Sequence, residues 1–313
     1  MAAIVDRGTG TPVVLVPGIQ GRWEWMEETV DALARRARCV SFSLCGEPAT
    51  RCRLTGERGF DAHVDQLDRV LDEAKLDRVA LCGVSYGGWV SVRYAARRPD
   101  RVTALVLASA PGPAFRPDER QKRYVRFPWL LLPEFLASTR QRLAPEVATA
   151  LPDPAVRRKT AQRQLRRMLR HPISPGLMAK RIRVALKEDF AADCARLDVP
   201  TLVVTGEAGL DLVVPVETTL EYVRLIRGAE HRQLAATGHI GCVTRANEWA
   251  DLVMAFVDRQ RPMAEEVAAA SDPGLKPCAT KEPGATGGSG ATGNPGSTAA
   301  QPGAAGWSEC TSI

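Results

Sequence analysis

Short unbroken apolar runs alternate with amphipathic stretches through the first 110 residues. "TPVVLVPG" (11–18), "RCVSFSLCG" (38–46), "DRVALCGV" (77–84) and "RVTALVLASAPG" (101–112) have strand length and no polar alternation, the pattern of strands buried on both faces of a sheet. Between them, 25–37 and 60–76 read as helices, the second with Val64, Leu67, Val70 and Leu71 at helical spacing. A further helix follows residue 85 and ends before Pro99. Strand–helix alternation of this kind predicts an α/β fold around a mostly parallel, doubly wound sheet.

The rhythm breaks over 113–198, which reads as helices near 120–127, 133–148, 154–170 and 175–190. It resumes with a strand in "VPTLVVTGE" (199–207), a helix at 215–227, a strand at 231–236 and a closing helix near 246–258. The organisation expected is therefore a core from 1–112 and 199–260, interrupted by a helical cap at 113–198. Of the 53 residues from Arg261 onward, 26 are Gly, Pro or Ala; too little side chain remains to bury, and 261–313 is expected to form a disordered tail.

Charge adds one distinction. The net +6 of the 313-residue chain resides in the insert, where 19 Lys and Arg face 9 Asp and Glu. A solvated helix face is the plainer account of "RRKTAQRQLRRMLR", with steering of acidic substrates the alternative. No zinc-finger, RNP or basic-zipper pattern accompanies the charge, so no nucleic-acid partner is expected. No run approaches the ~20 apolar residues of a membrane span, and Asp6 and Arg7 precede the first apolar run, unlike a signal peptide. The eight cysteines contain no C-x-x-C pair. They suit reduced thiols in a cytoplasmic protein, a metal site at Cys39, Cys45 and Cys52 being the lesser alternative.

The chemistry concentrates at "LCGVSYGGWV". Ser85 stands where a strand stops and a helix starts, fenced by Gly83, Gly87 and Gly88. This G-x-S-x-G setting is what a nucleophile elbow requires: a tight turn, an exposed oxygen and a helix N-terminus beneath it. A serine hydroxyl needs a base. Of four histidines, His63 reads as a partly exposed helix residue, His171 lies in the insert and His231 opens a strand. His239, in "ATGHIG", follows the last strand and falls on the same sheet edge as Ser85. The acid that fixes its tautomer is sought after strand 201–205, where Asp211 is favoured over Glu207; Asp198 belongs to the opposite edge. The chain order Ser, Asp, His suits this arrangement.

"GVSYGG", "GLDLVVP", the "GH" of "TGHIG" and "ARRPDRVTALVLASAP" together resemble the α/β-hydrolase fold superfamily, in its serine-nucleophile, capped form, over roughly residues 4–258. The resemblance implies an oxyanion hole from the backbone N–H groups of Ile19 and Tyr86, with Pro17 standing where relatives often carry histidine. It also implies a sheet with more strand at its start than the dozen residues before Pro12 supply, so one short edge strand is expected. Gln20, Arg22 and Trp23 are candidates for an acyl pocket, roofed by apolar insert residues such as Phe127 and Trp129. A serine argues against the haloalkane dehalogenase and epoxide hydrolase branches, which use aspartate there. The activity implied is hydrolysis of a carboxylic ester or related small-molecule acyl compound, without cofactor or metal. Acyl transfer or thioester hydrolysis on the same residues, and a non-turnover binding protein on this scaffold, are the alternatives.

Overall fold

A computed structural model describes residues 4–48, 50–54 and 58–271, with side chains to residue 260. Seven strands form one sheet: β1 (Ile4–Arg7), β2 (Pro12–Val16), β3 (Arg38–Phe42), β4 (Val79–Val84), β5 (Val102–Ala108), β6 (Thr201–Thr205) and β7 (Glu230–Gln233). Their order is β1-β3-β2-β4-β5-β6-β7. Among the described strands only β1 is antiparallel, paired to β3. It is a short edge strand of the kind expected from the residues before Pro12.

Successive residues of a strand point to opposite faces, and β2 shows the result. Val14 and Val16 enter one apolar layer with Leu67, Trp89 and Val90, whereas Val13 and Leu15 enter the other with Leu33, Trp249 and Val253. Helices α1 (Glu27–Ala34) and α12 (Ala246–Ser271) cover one face; α2 (Ala62–Glu73) and α3 (Tyr86–Arg97) cover the other. Both layers exclude water, at about 1.5–3 kcal/mol for each large apolar side chain buried.

Between β5 and β6 the insert forms α4 (Glu119–Arg126), α5 (Leu132–Ala150), α6 (Pro154–Arg170), α7 (Pro175–Ala185) and α8 (Phe190–Cys194). The helix expected at 175–190 is thus two, separated by a turn that ends at the capping residue Asp189, whose carboxylate accepts the Ala192 N–H. The helix expected over 215–227 is likewise divided, into α9 (Val216–Thr219) and α10 (Glu221–Leu225), before α11 (Gly241–Thr244) leads into α12. That last helix outruns the 258 expected of it. "MAEEVAAA" (263–270) is built of strong helix formers, so 261–271 is helical rather than tail. The remaining expected tail, 272–313, lies outside the described residues.

The reduced-thiol expectation fails at one pair. Cys45 and Cys52 form a disulfide, their Cα atoms 4.7 Å apart, because the loop after β3 doubles back with the Gly46 N–H donating to the Cys52 carbonyl (2.9 Å). Two sulfurs of the three-cysteine metal alternative are thereby joined to each other, and Cys39 is packed inside β3. Among the described residues no helix is long and apolar enough to cross a membrane.

Candidate active site

The sheet order places the site. From β2 the chain moves outward to β3, then returns to place β4 on the other side of β2. A crevice opens at the carboxyl ends of strands flanking such a reversal. Val16 of β2 pairs with Gly83 of β4, so the loop beginning at Pro17 and the turn at Ser85 leave the sheet side by side.

Ser85 takes φ 52° and ψ −123°, a conformation that costs a non-glycine residue about 1–3 kcal/mol. Its neighbours hold it there: Ser85 N–H donates to the Ala108 carbonyl (2.9 Å), and Gly88 N–H donates to the Ser85 carbonyl (2.8 Å). Glycine at 83 and 87 is a steric requirement. A Cβ added at Gly83 would stand 2.4 Å from the Gly87 carbonyl oxygen, and one at Gly87 2.3 Å from that of Val16.

His239 enters from the loop after β7 and Asp211 from the loop after β6. Ser85 Oγ lies 3.1 Å from His239 Nε2, and His239 Nδ1 lies 3.2 Å from Asp211 Oδ2. An ionised carboxylate only accepts, so Nδ1 carries the proton and Nε2 is left to accept the Ser85 O–H. Asp211 Oδ1 accepts the N–H groups of Val213 (3.1 Å) and Val214 (2.9 Å). Burial opposes its charge, but His239 and these donors outweigh burial and hold the carboxyl below its usual range. Burial also opposes protonation of His239, yet Asp211 and Glu146 together raise it above its ordinary 6.5.

Glu207 is occupied elsewhere, accepting the Ala236 N–H at 2.7 Å. His231 Nε2 bonds Thr205 Oγ1 (2.9 Å), and His171 lies beside Glu24 (3.3 Å). His63, expected to be partly exposed, is fully buried. Its Nε2 meets Tyr86 Oη at 3.1 Å, and burial, then the Arg181 charge, push its pKa down to about 3. The face of α2 that carries it packs on α3, which the spacing of the aliphatic residues alone does not reveal.

Ile19 lies in the loop after β2. Tyr86 opens α3, so its N–H has no intrahelical acceptor. The anchor that Pro17 cannot provide comes from the insert. Arg181 of α7, fully buried, donates to the carbonyls of Ile19 (3.0 Å) and Cys45 (3.1 Å) and to Glu47 Oε1 (2.9 Å). Glu47 Oε2 in turn accepts from Arg22 Nε (2.9 Å). Gly21, at φ +79°, makes the space: a Cβ there would stand 2.3 Å from the guanidinium. Nothing local in "MAKRIRVA" marks Arg181 as different from its neighbours, and the disulfide beside it was equally hidden.

Glu146 of α5 is the other residue that sequence reading missed. It is fully buried, and its two oxygens lie 2.9 and 3.2 Å from the N–H of Ile240, the residue after His239. Of the pocket candidates, Gln20 rests against Gly18, whose Cβ position is 3.6 Å from the Ser85 Cβ. Trp23 lines a separate cleft beneath α6. Phe127 and Trp129 are 46% and 65% exposed, which leaves much of both rings in solvent, not folded inward as a roof. Among the described residues no group of three or more His, Cys, Asp or Glu is placed to hold a metal ion.

Known proteins resemble this chain to differing extents. A segment of 114 residues is 37% identical to 2-hydroxy-6-oxo-2,4-heptadienoate hydrolase of Pseudomonas putida, covering 35% of this chain and 41% of that protein. Another relative, polyketide synthase ThaQ of Burkholderia thailandensis, is matched over 13% of its length at 28% identity. The chain thus spans less than half of either. The pimeloyl-[acyl-carrier protein] methyl ester esterase of Nitrosomonas europaea is 25% identical over 68% of this chain and 82% of its own. The solved esterase from Exiguobacterium antarcticum superposes with a TM-score of 0.65 at 21% identity, over 82% of this chain and 94% of its own. A bromoperoxidase from Bacillus anthracis matches equally well, at 22% identity, so the structural likeness speaks for the fold alone. The family model described as the alpha/beta hydrolase fold matches residues 11–246, and the chain belongs to that family.

Proposed function

We propose that the chain is a serine hydrolase acting on a carboxylic ester or related acyl compound. The observation that carries this reading is the hydrogen-bonded line from Ser85 Oγ through His239 to Asp211, with the serine on a strained strand-to-helix turn. Ser85 Oγ attacks the acyl carbon as His239 Nε2 takes its proton. The oxyanion forms against the N–H groups of Ile19 and Tyr86, each such donor contributing about 3–4 kcal/mol in a dry site. The tetrahedral intermediate collapses, and His239 delivers the proton to the leaving group. Water, activated by the same nitrogen, then releases the acyl group and restores Ser85. Asp211 stays ionised and holds the imidazole in its working tautomer. The likeness to a methyl ester esterase over two thirds of the chain supports the ester.

The segment similar to the heptadienoate hydrolase favours a second reading. A ketone takes the place of the ester carbonyl, and a carbon–carbon bond breaks. Purified protein offered p-nitrophenyl esters of graded acyl length, alongside an oxo-dienoate, separates the two. Ser85→Ala should lower turnover of the preferred class by about a thousand-fold or more. Undiminished turnover in that variant removes Ser85 as the nucleophile, and no turnover of any acyl substrate favours a non-catalytic binding protein.

A further inference from the structure

Helix α6 gathers most of its charge along one side, where Arg167 is buried and Lys159, Arg163, Arg166 and Arg170 are exposed. Lys159, Arg163, Arg166, Arg167 and Arg170 recur at intervals that place them along one side of a helix. All five line a cleft of about 480 Å³ whose opposite wall includes Trp23, Glu24 and Glu27. Leu165 and Leu169, on the other side of the helix, are 53% and 74% exposed.

The walls are fixed by ion pairs that consume only part of the charge. Arg167 donates to Glu27 and Glu28 (2.9 Å each), and Arg163 to Glu28 (2.9 Å). Trp25 Nε1–H donates to the His171 carbonyl (3.2 Å) at the end of α6. Among the described residues no carboxylate pairs with Lys159, Arg166 or Arg170, and all three are exposed. A helix C-terminus favours cations in its last turn. That covers Arg167 and Arg170 and leaves Lys159, three turns from the end, without such a reason.

We propose that this cleft binds a phosphate-bearing polyanionic small molecule, with Lys159, Arg166 and Arg170 neutralising it. The volume suits a small-molecule ligand. Guanidinium groups match phosphate oxygens in pairs, and the lysine adds a point charge. Lys159, Arg163, Arg166, Arg167 and Arg170 against Glu24, Glu27 and Glu28 leave the cleft an excess of two positive charges, five less three, which favours a polyanion over a single carboxylate. The phosphate is either a handle on the acyl substrate or a separate effector. Trp23 directly follows the β2 loop that carries Ile19.

Calorimetric titration with tripolyphosphate at low salt tests the site without relying on turnover, so it stands or falls apart from the hydrolase reading. Saturable one-to-one binding is expected. The triple variant Lys159→Ala, Arg166→Ala, Arg170→Ala should weaken it at least ten-fold. A control triple, Arg140→Ala, Arg158→Ala, Arg224→Ala, removes equal charge outside the cleft and should leave it nearly unchanged. Tripolyphosphate that competes with a phosphopantetheine acyl thioester but not with a neutral p-nitrophenyl ester identifies a substrate handle; binding that competes with neither identifies an effector. Absence of saturable binding, equal loss in both triples, or binding of a DNA duplex without tripolyphosphate overturns the proposal.

Discussion

The Glu146 carboxylate accepts the backbone N–H of Ile240 at 2.9 Å, joining an inserted helix to the loop that carries His239 across 94 residues of chain. Burial pushes this carboxyl up to about 7, against its N–H donors at Gly238 and Ile240 and the nearby His239. Folding therefore favours its protonated form. That stabilising contribution is fully present below the usual 4.5 and is lost as pH rises through about 7. Glu146→Gln mimics the protonated form, so parent and variant should differ little in melting temperature at pH 4.5, with the parent falling behind toward pH 7. Glu146→Ala, which orphans the Ile240 N–H, should cost about 1–3 kcal/mol in denaturant unfolding at either pH.

The pH–rate profile follows from the groups facing His239. Asp211 and Glu146 raise its pKa above 6.5, while burial and Arg142 oppose them. A base works only when neutral, so kcat/KM should fall as pH drops through a value above 6.5. Glu146→Gln removes one of the raising charges and should move this acidic limb to lower pH. Asp211→Asn removes the larger one and also loses the tautomer, so the limb should move further and kcat drop by about 10⁴-fold. An acidic limb unmoved in both variants would place the titration on another group.

The buried parallel strands, the tight turn at Ser85 and the loops that carry His239 and Asp211 to one sheet edge were legible because each is announced locally. β-branched runs mark buried strands, Gly83 and Gly87 mark a backbone contact, and a loop after a strand of known direction lies on a known edge. Arg181, Glu146 and the Cys45–Cys52 bond carried no such mark. Each owes its place to a tertiary path: α7 laid over the β2 loop, α5 over the His239 loop, and the β3 loop folded back on itself. An arginine inside "KRIR" looks the same whether it points to solvent or fills the space above Gly21. The even basic pattern of α6 was similarly ambiguous, since periodicity assigns charges to one face without saying what that face meets.

Arg181 and Glu47 form a buried ion pair at 2.9 Å, with Arg22 on the same carboxylate. Removing one member of such a network leaves an uncompensated charge and typically costs about 3–5 kcal/mol. Arg181→Ala should therefore lower the denaturant midpoint strongly. Because the same guanidinium holds the Ile19 carbonyl, surviving folded protein should lose kcat more than KM, the signature of an oxyanion donor out of position. Arg181→Lys should rescue little, since one ammonium cannot reproduce three separate contacts. Equal kcat in the folded variant would show that Ile19 is positioned without it.

The Cys45–Cys52 bond closes a loop with a sequence separation of seven. Constraint of so short a loop in the unfolded chain is worth roughly 2–3 kcal/mol in the chain-entropy account. The loop also supplies Glu47 and the Cys45 carbonyl to Arg181, so breaking the bond should reach the β2 loop as well as the global stability. Paired Cys45→Ala, Cys52→Ala substitution, or dithiothreitol added to the parent, should lower the melting temperature. With Cys278 and Cys310 also replaced by Ala, the effect of dithiothreitol should vanish in the double variant, because the other cysteines among the described residues, Cys39, Cys82, Cys194 and Cys242, are buried free thiols. Mass spectrometry of the alkylated parent should find Cys45 and Cys52 protected before reduction and labelled after it. Labelling of both without reduction would mean that the pair is not bonded under those conditions, and the stability arguments from it would then fail.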